Sequence, residues 1–213
     1  MNKETSSEPL DLVDKYFKKG IELFNQNDYT AAILCFDKAI NLDSVLDNNL
    51  DSILDSNLDS KCAKVYNYRG IAKSKIGKYN GAISDYDKAI ELNGAFFQAY
   101  YNRSISKGKI EKYFDALTDI ELAIFFCRGS SRFRNMRGVI KGKLGFHKEA
   151  ITDFDTAIEV NPKLIIAYYN RGIAKRLIGR KREGDRDLQE GLYLAEEEGD
   201  ERLKAKIRLV MRG

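Results

Sequence analysis

YNYRGIAKSKIGKYNGAISDYDKAIELN, from Tyr66 to Asn93, decides how the rest of the chain is read. It holds two apolar-periodic segments of about a dozen residues each, joined by the polar turn IGKY. Four other stretches share its wording. They are YFKKGIELFNQNDYTAAILCFDKAI from Tyr16, YYNRSISKGKIEKYFDALTDIELAI from Tyr100, NMRGVIKGKLGFHKEAITDFDTAIEVNP from Asn135 and YYNRGIAKRLIGRKREGDRDLQEGL from Tyr168. Superimposing the small residue of each first helix aligns Gly20, Gly70, Ser104, Gly138 and Gly172, in steps of 50, 34, 34 and 34. The first step therefore holds 16 extra residues.

Three further columns keep this register. Ala32, Ala82, Ala116, Ala150 and Gly184 are small; Phe36, Tyr86, Ile120, Phe154 and Leu188 are large and apolar; Ala39, Ala89, Ala123, Ala157 and Gly191 are small again. Small residues at matched places let two helices approach, and the large column fills the space between hairpins. One hairpin cannot bury its own apolar face, so stacking must do it. Gly184 and Gly191 make the second helix of the fifth copy the least stable expected, because Gly costs about 1 kcal/mol against Ala inside a helix.

The period of 34, the Gly…Ala…Phe/Tyr…Ala columns and the IELN and EVNP endings resemble the tetratricopeptide repeat (TPR) family, with NRG and YRG wording of the bacterial kind. The resemblance implies an all-α fold: a right-handed superhelical α-solenoid of five antiparallel helix hairpins plus a C-terminal capping helix. The expected division is a tail at 1–12, repeats at 13–46, 63–96, 97–130, 131–164 and 165–198, an insert at 41–60 and a cap at 199–213. Asp200 suits an N-cap, and Leu203, Ile207 and Val210 share one face of the last helix. A basic helix of this kind also suits a membrane surface.

The insert repeats Leu-Asp every four residues, from Leu42–Asp43 to Leu58–Asp59, with net charge −5. A period of four drifts against the 3.6-residue helix, and Asp, Asn and Ser favour turns. The segment reads as a loop, or as an extension of the preceding helix, or as a strand of chain lying in the groove.

Composition excludes most chemistry. The single histidine, His147, leaves no His-based metal set and no Ser/His/Asp or Cys/His arrangement. Three cysteines without CxxC spacing read as reduced, which with no secretory or membrane-length apolar run points to the cytoplasm. A charge of +4, from 36 basic and 32 acidic residues, is balanced rather than polycationic. There is no P-loop or GxGxxG, so a non-enzyme without cofactor or metal is expected.

One polar column recurs. Arg69, Arg103, Arg137 and Arg171 precede the small residue, and Asp85, Asp119, Asp153 and Asp187 follow sixteen residues later; copy one has Lys19 and Cys35 instead. These predict structural ion pairs, from first helix to second or to a neighbouring hairpin.

Carried over by register, the family's peptide-binding groove falls on Phe17, Ile21, Asn67, Ile71, Lys75, Tyr101, Asn102, Ile105, Lys109, Arg132, Asn135, Val139, Lys143, Tyr169 and Ile173. An apolar β-branched ladder beside lysines suits an extended or helical protein segment with apolar anchors and acidic residues. The family's carboxylate clamp for chaperone C-termini is incomplete: Asn102 and Arg132 match, but Phe17/Ile21 or Asn67/Ile71 stand at the leading Lys/Asn places and Met136 at the final Arg. The alternative partner is RNA or DNA, held by the basic run from Lys175 to Arg186 and the basic C-terminus.

Overall fold

The structure, a computed structural model, describes residues 8–47 and 56–212. Among them are eleven helices and no strand: α1 Glu8–Asn25, α2 Tyr29–Asp47, α3 Ser56–Lys75, α4 Tyr79–Leu92, α5 Phe97–Lys109, α6 Tyr113–Phe126, α7 Ser131–Lys143, α8 His147–Val160, α9 Ile165–Leu177, α10 Lys181–Glu198 and α11 Glu201–Arg212. The chain divides into two compact units, Met1–Glu111 and Lys112–Gly213, with the division between the two helices of the third copy.

In the first unit, α1 packs on α2 and α3 on α4, each pair joined by three residues, which makes the neighbours antiparallel. Each second helix then packs on the next first helix, α2 on α3 and α4 on α5. Val13, Phe36 and Val65 anchor the core, with Phe17, Ile21, Phe24 and Tyr68 against it. The small columns work as close-approach points. A Cβ on Gly20 would lie 2.4 Å from the Phe36 ring, and one on Gly70 would lie 2.6 Å from that of Tyr86. Burial pushes the Tyr86 phenol far above its ordinary pKa.

The second unit repeats the plan with α7 on α8 and α9 on α10, with α6 packed on α7 and α8 on α9. Gly138 meets Phe154 as Gly70 meets Tyr86. Beyond Gly199, at φ 70°, Asp200 Oδ1 accepts a hydrogen bond from the Leu203 amide at 2.9 Å and starts α11. Leu203, Ile207, Val210 and Met211 close the core of Ile165, Leu188 and Leu194.

The helices begin and end beyond two of the expected boundaries, and at the insert they follow the helix-extension reading. α1 starts at Glu8, inside the stretch read as a tail, because Val13 is already a core residue and needs a helical turn ahead of it. The insert begins and ends in helix: α2 continues to Asp47 with Leu42 on the core, and α3 starts at Ser56. Its centre, 48–55, lies outside the described residues, and so does any placement of it in the groove.

Candidate functional site: the face of the first helices

The polar columns come first, because they decide which side chains are available. Arg69 donates from Nε and Nη2 to both oxygens of Asp85, at 3.0 and 2.6 Å, and from Nη1 to Asp37 of the preceding hairpin at 2.6 Å. Arg171 does the same with Asp187, at 2.9 and 2.7 Å, and Asp155, at 2.7 Å. Arg103 Nη1 bonds Asp87 at 2.6 Å. Each fork thus ties a first helix to the second helix before it, and in Arg69 and Arg171 also to the second helix after it. Arg137 grips Asp153 alone, from Nε at 3.0 Å and Nη2 at 2.5 Å. Glu121 stands where Asp37, Asp87 and Asp155 stand in other copies, and no bond joins it to Arg137. The Arg137 side chain is correspondingly more open, at 27% exposure against 16% for Arg69 and Arg171.

A lysine four residues after each arginine completes the cluster, a feature the sequence reading missed. Lys73, Lys141 and Lys175 reach Asp85, Asp153 and Asp187 at 2.8 Å, so each nearly buried carboxylate sits between a guanidinium and an ammonium. The signal was present as Lys73, Lys107, Lys141 and Lys175, and as Asp37, Asp87 and Asp155 two residues after the main Asp column. Burial pulls the Arg69 pKa down, but bonds to Asp85 and Asp37 and their charge hold it above its ordinary value; Arg171 behaves alike with Asp187 and Asp155. Arg69, Arg103 and Arg171 also lie over the rings of Tyr66, Tyr100 and Tyr168. In α7 the tyrosine place holds Arg134, whose Nη1 is buried without a hydrogen-bond partner.

The groove positions then separate into two kinds. Some are taken up inside the array. The Phe17 ring meets Tyr68 edge-on at 5.6 Å, and Ile21 packs on the same core. Asn67, only 5% exposed, accepts at Oδ1 from Asn102 Nδ2 at 2.9 Å, and Asn135 accepts from Asn170 at 3.0 Å. These amides bridge consecutive first helices, α3 to α5 and α7 to α9. Tyr169 packs on the core closed by α11. Ile71, Tyr101, Ile105, Val139 and Ile173 are half-buried. The other kind is open: Lys75, Lys109, Arg132 and Lys143 are exposed and form no ion pair among the described residues.

In the second unit a cleft of about 280 Å³ lies between α7 and α9. Val139, Lys143, Ile173 and Leu177 line it, with Gly138, Gly142, His147, Phe154, Asn170 and Ala174. His147, Gly142 and Asn170 were not among the expected groove residues.

Half of the basic run is engaged internally. Lys175 bonds Asp187, Arg176 bonds the Val210 carbonyl at 2.5 Å, and Arg180 pairs with Glu183, holding that carboxyl below its ordinary pKa. Lys181, Arg182 and Arg186 remain exposed. Among the described residues no helix is long and apolar enough to cross a membrane.

Family models described as tetratricopeptide repeat match residues 15–45, 63–96 and 131–164. A comparison with curated proteins found no match. Among solved structures the chain is similar to the MamA protein, at 20% identity and TM-score 0.69 over 90% of this chain and 96% of that one. It is similar to residues 41-end of MamA from Desulfovibrio magneticus RS-1, at 16% identity and TM-score 0.72 over 88% and 97%. It is also similar to YrrB, described as a TPR protein with an unusual peptide-binding site, at 20% identity and TM-score 0.64 over 91% and 90%. At such identities the likeness is one of fold. With the 34-residue register, the hairpins it builds and the three matched repeats, the chain belongs to the tetratricopeptide repeat family.

Proposed function

We propose that this protein is a non-catalytic interaction scaffold that takes an extended or helical protein segment, apolar and acidic in character, on the open face of the first helices within a unit. The observation that carries it is the contrast between two lysine columns. Lys73, Lys141 and Lys175 are held by buried aspartates, whereas Lys75, Lys109 and Lys143 stand exposed without an ion pair among the described residues, beside half-buried Ile71, Ile105 and Val139. Apolar contact supplies affinity there, and unpaired cations steer an acidic partner and make the association salt-sensitive. A peptide-binding site on a similar fold, in YrrB, supports the same use. Cys35, Cys62 and Cys127 are thiols outside any disulfide, which suits a reducing compartment, so we place the scaffold in the cytoplasm.

Affinity capture with quantitative mass spectrometry, comparing wild type with Lys75→Glu/Lys109→Glu and with Lys143→Glu, tests this. A partner recovered at least tenfold less by the variants supports the face; equal recovery rejects it. Nucleic-acid binding rests on Lys181, Arg182 and Arg186, and absence of single-stranded RNA and duplex DNA binding at low salt removes it.

A further inference from the structure

We infer that the cleft between α7 and α9 is a socket for one apolar side chain of a bound peptide, and that carboxylates flank that side chain in the peptide. The inference deepens the scaffold reading and rests on it.

Gly142 carries the argument. It is the last but one residue of helix α7, and a Cβ there would meet no atom of a neighbouring element within 4 Å. Gly138, one turn earlier, has a packing reason: its Cβ would be 2.6 Å from the Phe154 ring. Gly142 has none. In copies one, two and five the same register position is filled by a side chain that reaches the next element, while copy three has Gly108 there, with open space as at Gly142. Phe24 lies edge-on to Tyr68, Ser74 meets Ser106 at 3.2 Å, and Arg176 bonds the Val210 carbonyl. In α7 that bridging side chain is missing, and the space it would take is the cleft.

The lining says what fits. Val139, Phe154, Ile173, Ala174 and Leu177 are apolar, and Leu177 is 63% exposed, an apolar wall left to solvent. About 280 Å³ falls below the ~300–1,000 Å³ of ordinary small-molecule sites, which favours a single side chain over a whole ligand. No acid lines the cleft, whereas Lys143 stands at it exposed and without an ion pair among the described residues. An aliphatic side chain with neighbouring Asp or Glu complements both features.

The test is NMR titration of the full chain with an end-capped peptide holding one leucine between glutamates, against the same peptide with alanine. Support is a shift of the Val139, Ile173 and Leu177 methyl signals and the His147 ring, at least fivefold weaker binding of the alanine peptide, and at least tenfold loss in Gly142→Leu. Gly142→Leu adds atoms to open space; if it nevertheless fails to fold, Leu177→Ala must weaken the leucine peptide selectively. Lys143→Glu must reverse the preference for acidic over basic flanks. Unchanged affinity in Gly142→Leu, or shifts confined elsewhere, overturns the socket. If capture of the protein partner still depends on the lysines, the scaffold reading survives that failure; if capture is indifferent to them, that reading falls too. Self-association abolished by Gly142→Leu would give the cleft to a second copy and overturn the assignment.

Discussion

Arg171 and Arg137 occupy one register position and differ in their partners. Arg171 joins two aspartates on two helices, while Arg137 holds one. Breaking a buried pair leaves a stranded charge, an effect of about 3–5 kcal/mol, although Lys175 stays beside Asp187 and keeps the loss near the lower end. Arg171→Met is therefore expected to lower urea-unfolding stability by about 3 kcal/mol, Arg137→Met by clearly less, and Lys19→Met by no more than ~1 kcal/mol, since its contact with Glu22 is exposed. Equal losses at Arg171 and Arg137 would show that the second carboxylate contributes nothing. The Arg and Asp columns were legible because they recur in four copies. The lysine completing each cluster hid among 36 basic residues, since nothing local distinguishes Lys73, bound to Asp85, from Lys75, which is open.

Among the helices and their turns, one column governs each hairpin. Gly77, Gly145 and Gly179 have φ of 80–86°, and Asn27 and Glu111 share the position at 63° and 61°. Asn tolerates the left-handed region; glutamate is strained there by about 1–2 kcal/mol. Glu111→Gly should raise stability by about 1 kcal/mol, read as a higher melting temperature. The glycines of α10 need a revised reading. A Cβ on Gly184 would lie 2.5 Å from the Gly172 carbonyl oxygen, so this glycine permits close backbone contact rather than merely weakening the helix. Gly191 would place its Cβ 3.4 Å from Ile207 Cδ1, an ordinary contact. Gly184→Ala should therefore destabilise by about 1–3 kcal/mol, and Gly191→Ala should stabilise by up to about 1 kcal/mol, both by thermal unfolding. Propensity treats the two alike because it takes no account of the facing helix.

For the chain as a whole, repeat stability is a sum of neighbour interfaces, and an uncovered end is the weak point. α11 buries Ile207 fully and closes the core of Ile165, Leu188 and Leu194. Removing residues 200–213 should abolish slow amide exchange in α9 and α10 while leaving that of α1 to α4 unchanged, as measured by hydrogen exchange with mass spectrometry. Loss of protection throughout would mean that the two units unfold as one.

The sequence by itself determined the repeat, its register, the hairpins and the last helix, because a 34-residue periodicity with small and large columns satisfies only one kind of packing. It also marked the arginines as structural. Only the tertiary structure decided which polar groups are engaged. Asn67 and Asn135 lie in the expected groove columns yet bond to the next first helix, and Phe17 packs against the core, because availability depends on what a neighbouring hairpin places opposite. Gly142 shows the same limit in reverse: an unremarkable glycine in the sequence, it becomes an opening only once α8 and α9 stand around it.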